Sequence, residues 1–210
     1  MSAAPRSRAA RADSRLPQIL DAAATQFAAN GYQAASIRDI VRAVGMLPGS
    51  LYCHFANKDE LLVAVYAEGV RRISSAVTTA VASRTDPWER LETACAAHLA
   101  ALLHRDAYAK VVTSVVPESV PALAPTMVAL RDRYERIFVA LIADLPLPPR
   151  TPRRTLRLML LGALNWVTTW YRAGAGRSPQ RLAREFVGLL RVRLQSNADK
   201  RASRGSSPAT

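Results

Sequence analysis

Between Ser36 and Lys58 the chain sets out groups suited to gripping a polyanion: Ser36, Arg38, Arg42, Gly49, Ser50, Tyr52, His54 and Lys58. An arginine fork matches phosphate oxygens, and hydroxyl, phenol and imidazole groups each add a single donor. Arg38 and Arg42 are four residues apart and share one helix face. Gly49 and Ser50 follow Pro48 at a helix start, where a backbone can be approached closely and its amides can donate to phosphate. Ser36 and Lys58 stand at two other helix starts, where free amides and a side chain can converge on one phosphate.

A second group of residues is placed for a different chemistry. Asn165, Trp166, Trp170 and Arg172 bring together an amide, two flat apolar faces and a cation, and the two tryptophans are one turn apart. Arg150, Arg153, Arg154 and Arg157 add positive charge at the start of the same helix. Such a set suits an anionic small molecule with a ring to stack and a chain to bury. The plain alternative is a subunit contact and a solvated face. Trp88, Leu102, Leu103, Tyr108, Met127, Tyr134 and Phe138 are candidate pocket lining, most of them expected to be core.

Cys95 and His98 could share a helix face, with His104 nearby, but nothing supplies an orienting acid or an oxyanion site. An enzyme is therefore not expected. Cys53 and Cys95 form no disulfide or metal pattern, and no metal is expected.

Elements must hold these groups in place, and the chain reads as all-α. It has 210 residues, half of them hydrophobic, with a formal charge of +13. That is enough for one ordinary domain or two small ones. The basic excess is almost wholly arginine, and residues 1–58 hold seven basic against three acidic side chains. No apolar run approaches the ~18 residues of a membrane span. The arginine-bearing first 15 residues lack the apolar core of a secretory signal, so the expected compartment is the cytoplasm.

About nine helices are expected. Leu16, Ile19, Leu20, Ala23 and Phe27 make the first, stopped at Asn30-Gly31. Ser36 opens the second, Gly45 ends it, and Pro48 opens a third to about Phe55. Asn57 with Glu60 caps a long fourth helix. Asp86-Pro87 opens a fifth to about His104, and others cover about 106–115, 126–143, 152–173 and 179–194. Residues 1–14 and 196–210 are expected to be disordered.

The second and third helices form a helix-turn-helix, with Gly45 in the turn and Ile40, Val41, Val44, Leu51 and Phe55 spaced to lock against Phe27. Ile19-Leu20-Asp21-Ala22-Ala23, Asn30-Gly31-Tyr32, Ile37-Arg38-Asp39-Ile40, Gly49-Ser50-Leu51-Tyr52, His54-Phe55 and Lys58-Asp59-Glu60-Leu61-Leu62 stand in one order. In that order the chain resembles the TetR family of bacterial transcriptional regulators. The resemblance departs at Leu47-Pro48, where many relatives carry a Ser or Thr and then a Lys. In this form it resembles the branch that regulates sterol-ring and fatty-acid catabolism and senses acyl-CoA thioesters. The stretch 158–186, with its Asn-Trp and Trp-Tyr-Arg, is similar to that branch as well.

The resemblance implies a DNA-binding head at 15–60 and a ligand-binding and dimerisation body at 61–195. It implies operator contacts from Ser36, Arg38, Pro48, Gly49, Ser50, Tyr52, His54 and Lys58. It implies a homodimer through the last two helices and a small-molecule effector, in that branch an acyl-CoA, held by Asn165, Trp166, Trp170, Arg172 and Arg157, with no fixed cofactor and no membrane. The expected activity is repression at a pseudo-palindromic double-stranded operator, relieved by ligand. The alternatives are the same repressor with a drug or aromatic-acid ligand, and a ligand-free architectural DNA-binding protein.

Overall fold

The computed structural model describes the backbone of residues 8–104, 106–172 and 177–205, with side chains in 15–47, 49–104, 106–172 and 177–192. Its described residues form helices and no strand. In chain order they are α1 (Arg8–Ala34), α2 (Ile37–Ala43), α3 (Pro48–Leu51), α4 (Lys58–Val81), α5 (Pro87–Leu103) and α6 (Ala107–Ser114). A 3-10 turn (Pro117–Ser119), α7 (Ala124–Ala143), α8 (Arg153–Trp170) and α9 (Pro179–Gly205) follow.

Most helix starts are fixed by local hydrogen bonds. Ser36 Oγ accepts from the Arg38 amide at 3.2 Å, Asp86 Oδ1 from Glu89 at 2.8 Å, and Asp106 Oδ1 from Ala109 at 2.7 Å. At α4, Asn57 Oδ1 accepts from the Glu60 amide at 2.9 Å while Glu60 reaches back to the Ala56 amide at 2.8 Å. These bonds satisfy amides that have no partner inside the helix.

Three boundaries differ from the sequence reading by a full turn or more, while Gly31, with φ 75°, breaks α1 where its stop was expected. α1 begins at Arg8 rather than near Leu16, and α9 continues to Gly205 rather than ending near 194. The first extra stretch, residues 8–15, is mostly Ala and Arg, which are strong helix formers, and the second mixes them with Gln and Lys. The stretches expected to be disordered are therefore partly helical; residues 1–7 and 206–210 lie outside those described. α3 closes at Leu51 and passes into a turn, one helical turn short of Phe55.

The chain divides into two compact units. The first comprises residues 1–72 with 105–131, and the second 73–104 with 132–210. The first unit is thus larger than the 15–60 head drawn from the sequence. It takes in α4 as far as Arg72 and all of α6.

In the first unit α1 packs on α2 and α6, and α2 on α3. Ile19, Ala23, Phe27, Ile40, Val41, Leu51, Leu61, Leu62 and Val65 are buried. A polar junction ties α1, α4 and α6. Tyr108 donates to Asp21 at 2.8 Å, the Arg72 guanidinium lies 3.9 Å over the Tyr108 ring, and Arg71 and Arg72 both donate to Glu68. Hydrogen bonds from Arg71 and then Arg72 outweigh burial and hold the Glu68 carboxyl at a pKa of about 2.

In the second unit α5 packs on α8 and α9. Trp88, Leu91, Cys95, Leu99, Phe138, Ile142, Leu160, Leu164, Val167, Leu182 and Val187 make its core. Among the described residues no helix is long and apolar enough to cross a membrane.

Candidate DNA interface and ligand-binding residues

Gly45 turns the chain between α2 and α3 with φ 63°, a conformation that side-chain-bearing residues seldom adopt. With Ile40, Val41, Leu51 and Phe55 buried, most of the polar residues of the segment are turned out. Tyr52 is 55% exposed, and Gly49, Ser50, Cys53, Arg38 and Arg42 are exposed. His54 is half-buried, its ring 6.5 Å from that of Phe55. Arg42 pairs with Asp39 at 3.0 Å across exposed surface. Ser36 caps α2. Pro48 occupies the first turn of α3, and its side chain lies outside those described. A Cβ built at Gly49 would meet nothing within 4 Å, so the fold itself does not require glycine there.

Lys58 is the correction in this region. Its ammonium does not stand out toward solvent for a phosphate. Nζ donates to the carbonyls of Tyr32, Gln33 and Ala35 at 3.0, 3.2 and 3.3 Å and lies 4.6 Å from the Tyr32 ring centroid. An ammonium has three protons, and here each has a carbonyl. Those carbonyls belong to the end of α1 and the link after it, where oxygens lack helical partners. Tyr32 also donates to Asp59. Burial, then this bond, raises its pKa to about 12.

The structure does not gather the five ligand residues into one site. Trp166 and Trp170 are 65% and 41% exposed, on a face of α8 shared with Leu158 and Met159. Arg172 is exposed just past the end of α8. Arg157 lies about 22 Å back along the chain from Arg172, at 1.5 Å per helical residue. It pairs with Glu135 at 3.5 Å, while its Nε is buried without a hydrogen-bond partner. Arg157 lines a cavity of about 270 Å³ with Val139, Ile142, Arg153 and Arg154. Arg153 is committed to carbonyls at the end of α7, donating to Ile142, to Ala143 at 3.1 Å and to Leu145 at 3.2 Å.

Asn165 points elsewhere. Its Oδ1 accepts from His98 Nε2 at 3.1 Å, and Tyr134 donates to His98 Nδ1 at 2.6 Å. An amide oxygen can only accept, so Nε2 carries the ring proton and Nδ1 takes the phenol's. His98 is fully buried, and burial lowers its pKa to about 4, against a smaller upward pull from Asn165. Sequence reasoning paired His98 with Cys95; the readable signal was its place on the apolar face of α5, where a histidine needs core partners.

Cys95 is buried and its pKa is pushed up, chiefly by burial, whereas Cys53 is exposed. His104 is exposed and lines a groove of about 640 Å³ with Ala76, Ala97, Ala100, Ala101, Leu103, Tyr171 and Pro179. No group of three His, Cys, Asp or Glu able to hold a metal occurs among the described residues. Of the seven candidate pocket residues, all but Leu103 are core.

A sealed helix-turn-helix with an outward polar and aromatic face, joined in one chain to a wholly helical second unit, defines a DNA-binding regulatory protein. The family description "Bacterial regulatory proteins, tetR family" matches residues 19–65, and "Tetracyclin repressor-like, C-terminal domain" matches residues 84–194. The chain belongs to the tetR family, whose members are regulators and not enzymes. It is similar to the HTH-type transcriptional repressor KstR2 of Mycolicibacterium smegmatis, at 26% identity over 90% of this chain and 95% of that one. The fatty acid degradation regulator FadR of Bacillus halodurans superposes with a TM-score of 0.72 at 24% identity, covering 84% of this chain and 94% of that one. AibR, solved with isovaleryl coenzyme A and operator DNA, gives 0.70 at 20% identity over 83% and 97%. These two likenesses are of fold.

Proposed function

We propose that the chain is a cytoplasmic homodimeric repressor of lipid- or sterol-breakdown genes, released from a pseudo-palindromic operator by an acyl-CoA thioester. The observation that carries the effector reading is the arginine-lined cavity of the second unit. Arg154 and Arg157 face a space of about 270 Å³, with Val139 and Ile142 as its apolar wall. Phosphate beside the buried Arg157 Nε would supply the acceptor that atom lacks. The name of KstR2 supports repression, and the ligand of AibR supports a CoA thioester.

Trp166 and Trp170 take a different part in this reading from the one their types first implied. With Leu158 and Met159 on α8 and Leu189 and Val192 on α9, they are exposed apolar side chains that a second copy would cover. Two heads on one dimer then meet major grooves about 34–36 Å apart.

Thermal-shift measurement against CoA thioesters, free CoA, free acids and drug-like cations tests the effector class, since a ligand of the native state raises apparent stability. Stabilisation by thioesters, lost in Arg157→Ala, is the expected result. Stabilisation by uncharged or aromatic compounds alone would replace the CoA reading with a second one. The alanine-lined groove near Tyr171, with no arginine among its described lining residues, favours that alternative.

A further inference from the structure

Among the described side chains of residues 15–81 the large apolar ones that stand out to solvent are Leu47 and Tyr52. Leu47 is 76% exposed, more than any other large apolar side chain described. Tyr52 has a phenol to offer water or phosphate; Leu47 has nothing polar at all. Its placement is also not loose. A residue before proline is confined to extended backbone, and Leu47 has φ −79° and ψ 147° ahead of Pro48. Its carbonyl accepts from the Ser50 amide at 2.9 Å, which fixes it as the residue that opens α3.

That position favours an oxygen-bearing side chain, which would cap the helix, and Leu47 makes no side-chain cap bond. The leucine therefore serves neither the helix nor the core. It is an apolar group on a fixed stretch of backbone, on the face where a helix-turn-helix meets base edges. On the floor of the major groove the apolar group is the 5-methyl of thymine. Gly49, two residues on and free of any side chain, leaves the space beside it open.

We propose that Leu47 reads a thymine in each operator half-site by covering its 5-methyl group. This rests on the DNA-binding reading and adds to it a base and an atom. Burying one methyl is worth about 0.8 kcal/mol, or about fourfold in affinity per half-site.

The test begins with selection of a binding site from random duplexes by the full-length protein. Failure to recover any consensus would sink the DNA reading and this one with it. In the recovered site each thymine is replaced in turn by deoxyuridine, which removes only the methyl. Wild type should lose about fourfold at one thymine per half-site. Leu47→Ala should bind thymine and uracil duplexes equally at that position, while Tyr52→Ala should weaken both yet keep the fourfold difference. If no deoxyuridine substitution affects wild type, or if Leu47→Ala keeps the full thymine preference, the assignment is overturned with DNA binding itself intact.

Discussion

A Cβ at position 49 would meet nothing within 4 Å, and alanine is favoured over glycine in a helix by about 1 kcal/mol. Gly49→Ala is therefore expected to keep or raise the thermal midpoint. The same methyl would hold a DNA backbone off the α3 amides, and loss of one charge-assisted hydrogen bond lowers affinity about tenfold. Melting and fluorescence anisotropy on one preparation check both halves; a variant that binds as well as wild type removes Gly49 from the interface. His98 gives a pH signature of its own. Its pKa is 6.5 in the unfolded chain and about 4 in the folded one. Between those values the unfolded state binds one more proton, so stability is full above pH 6.5 and falls as pH drops toward 4. The loss is about 1.4 kcal/mol per pH unit, roughly 3 kcal/mol in all. Glu68, lowered from 4.5 to about 2, adds its own loss only below its ordinary range. Urea midpoints between pH 7 and 4.5 thus isolate His98, and His98→Gln should flatten the profile.

Lys58 shows what an element's ends conceal from sequence. The caps at Ser36, Asn57 and Asp86 were legible because each bond closes within three residues. Lys58 sits at an equally readable helix start, yet its partners lie 23 to 26 residues upstream, and only the folded unit brings them to it. Lys58→Ala leaves three carbonyls without their donor and should destabilise the first unit by about 1–2 kcal/mol. Chemical denaturation monitored at Tyr32 reads this; an unchanged midpoint would mean that water replaces the ammonium at no loss. The α8 face divides in a similar way. Helical spacing put Trp166 and Trp170 together correctly, but it could not tell an inward stripe from an outward one. Asn165, next in sequence to Trp166, was joined to the tryptophans by type, whereas its oxygen is held by His98.

At the scale of the whole molecule most of the net charge belongs to the second unit. Residues of the second unit include 17 basic against 8 acidic side chains, the first unit 12 against 8. Operator affinity should fall steeply with salt as phosphate contacts release counterions. If the exposed face of α8 and α9 carries the dimer, Trp166→Glu should give monomers by light scattering and reduce operator affinity to that of a single half-site; an intact dimer would move the subunit contact elsewhere. The helical fold and the family were readable from motif order, because the head's core and turn residues sit close in sequence. The arginine-lined cavity was not, because only the packing of α8 against α7 sets Arg154 and Arg157 beside Val139 and Ile142. The two thiols have a practical consequence. Cys95 is sealed in the core and Cys53 is open on the reading segment beside Tyr52, so a maleimide dye should attach at one place without any mutation. That dye would sit where the duplex arrives. Operator DNA should slow its attachment and, once it is attached, change its brightness, giving the protein a reporter of its own occupancy.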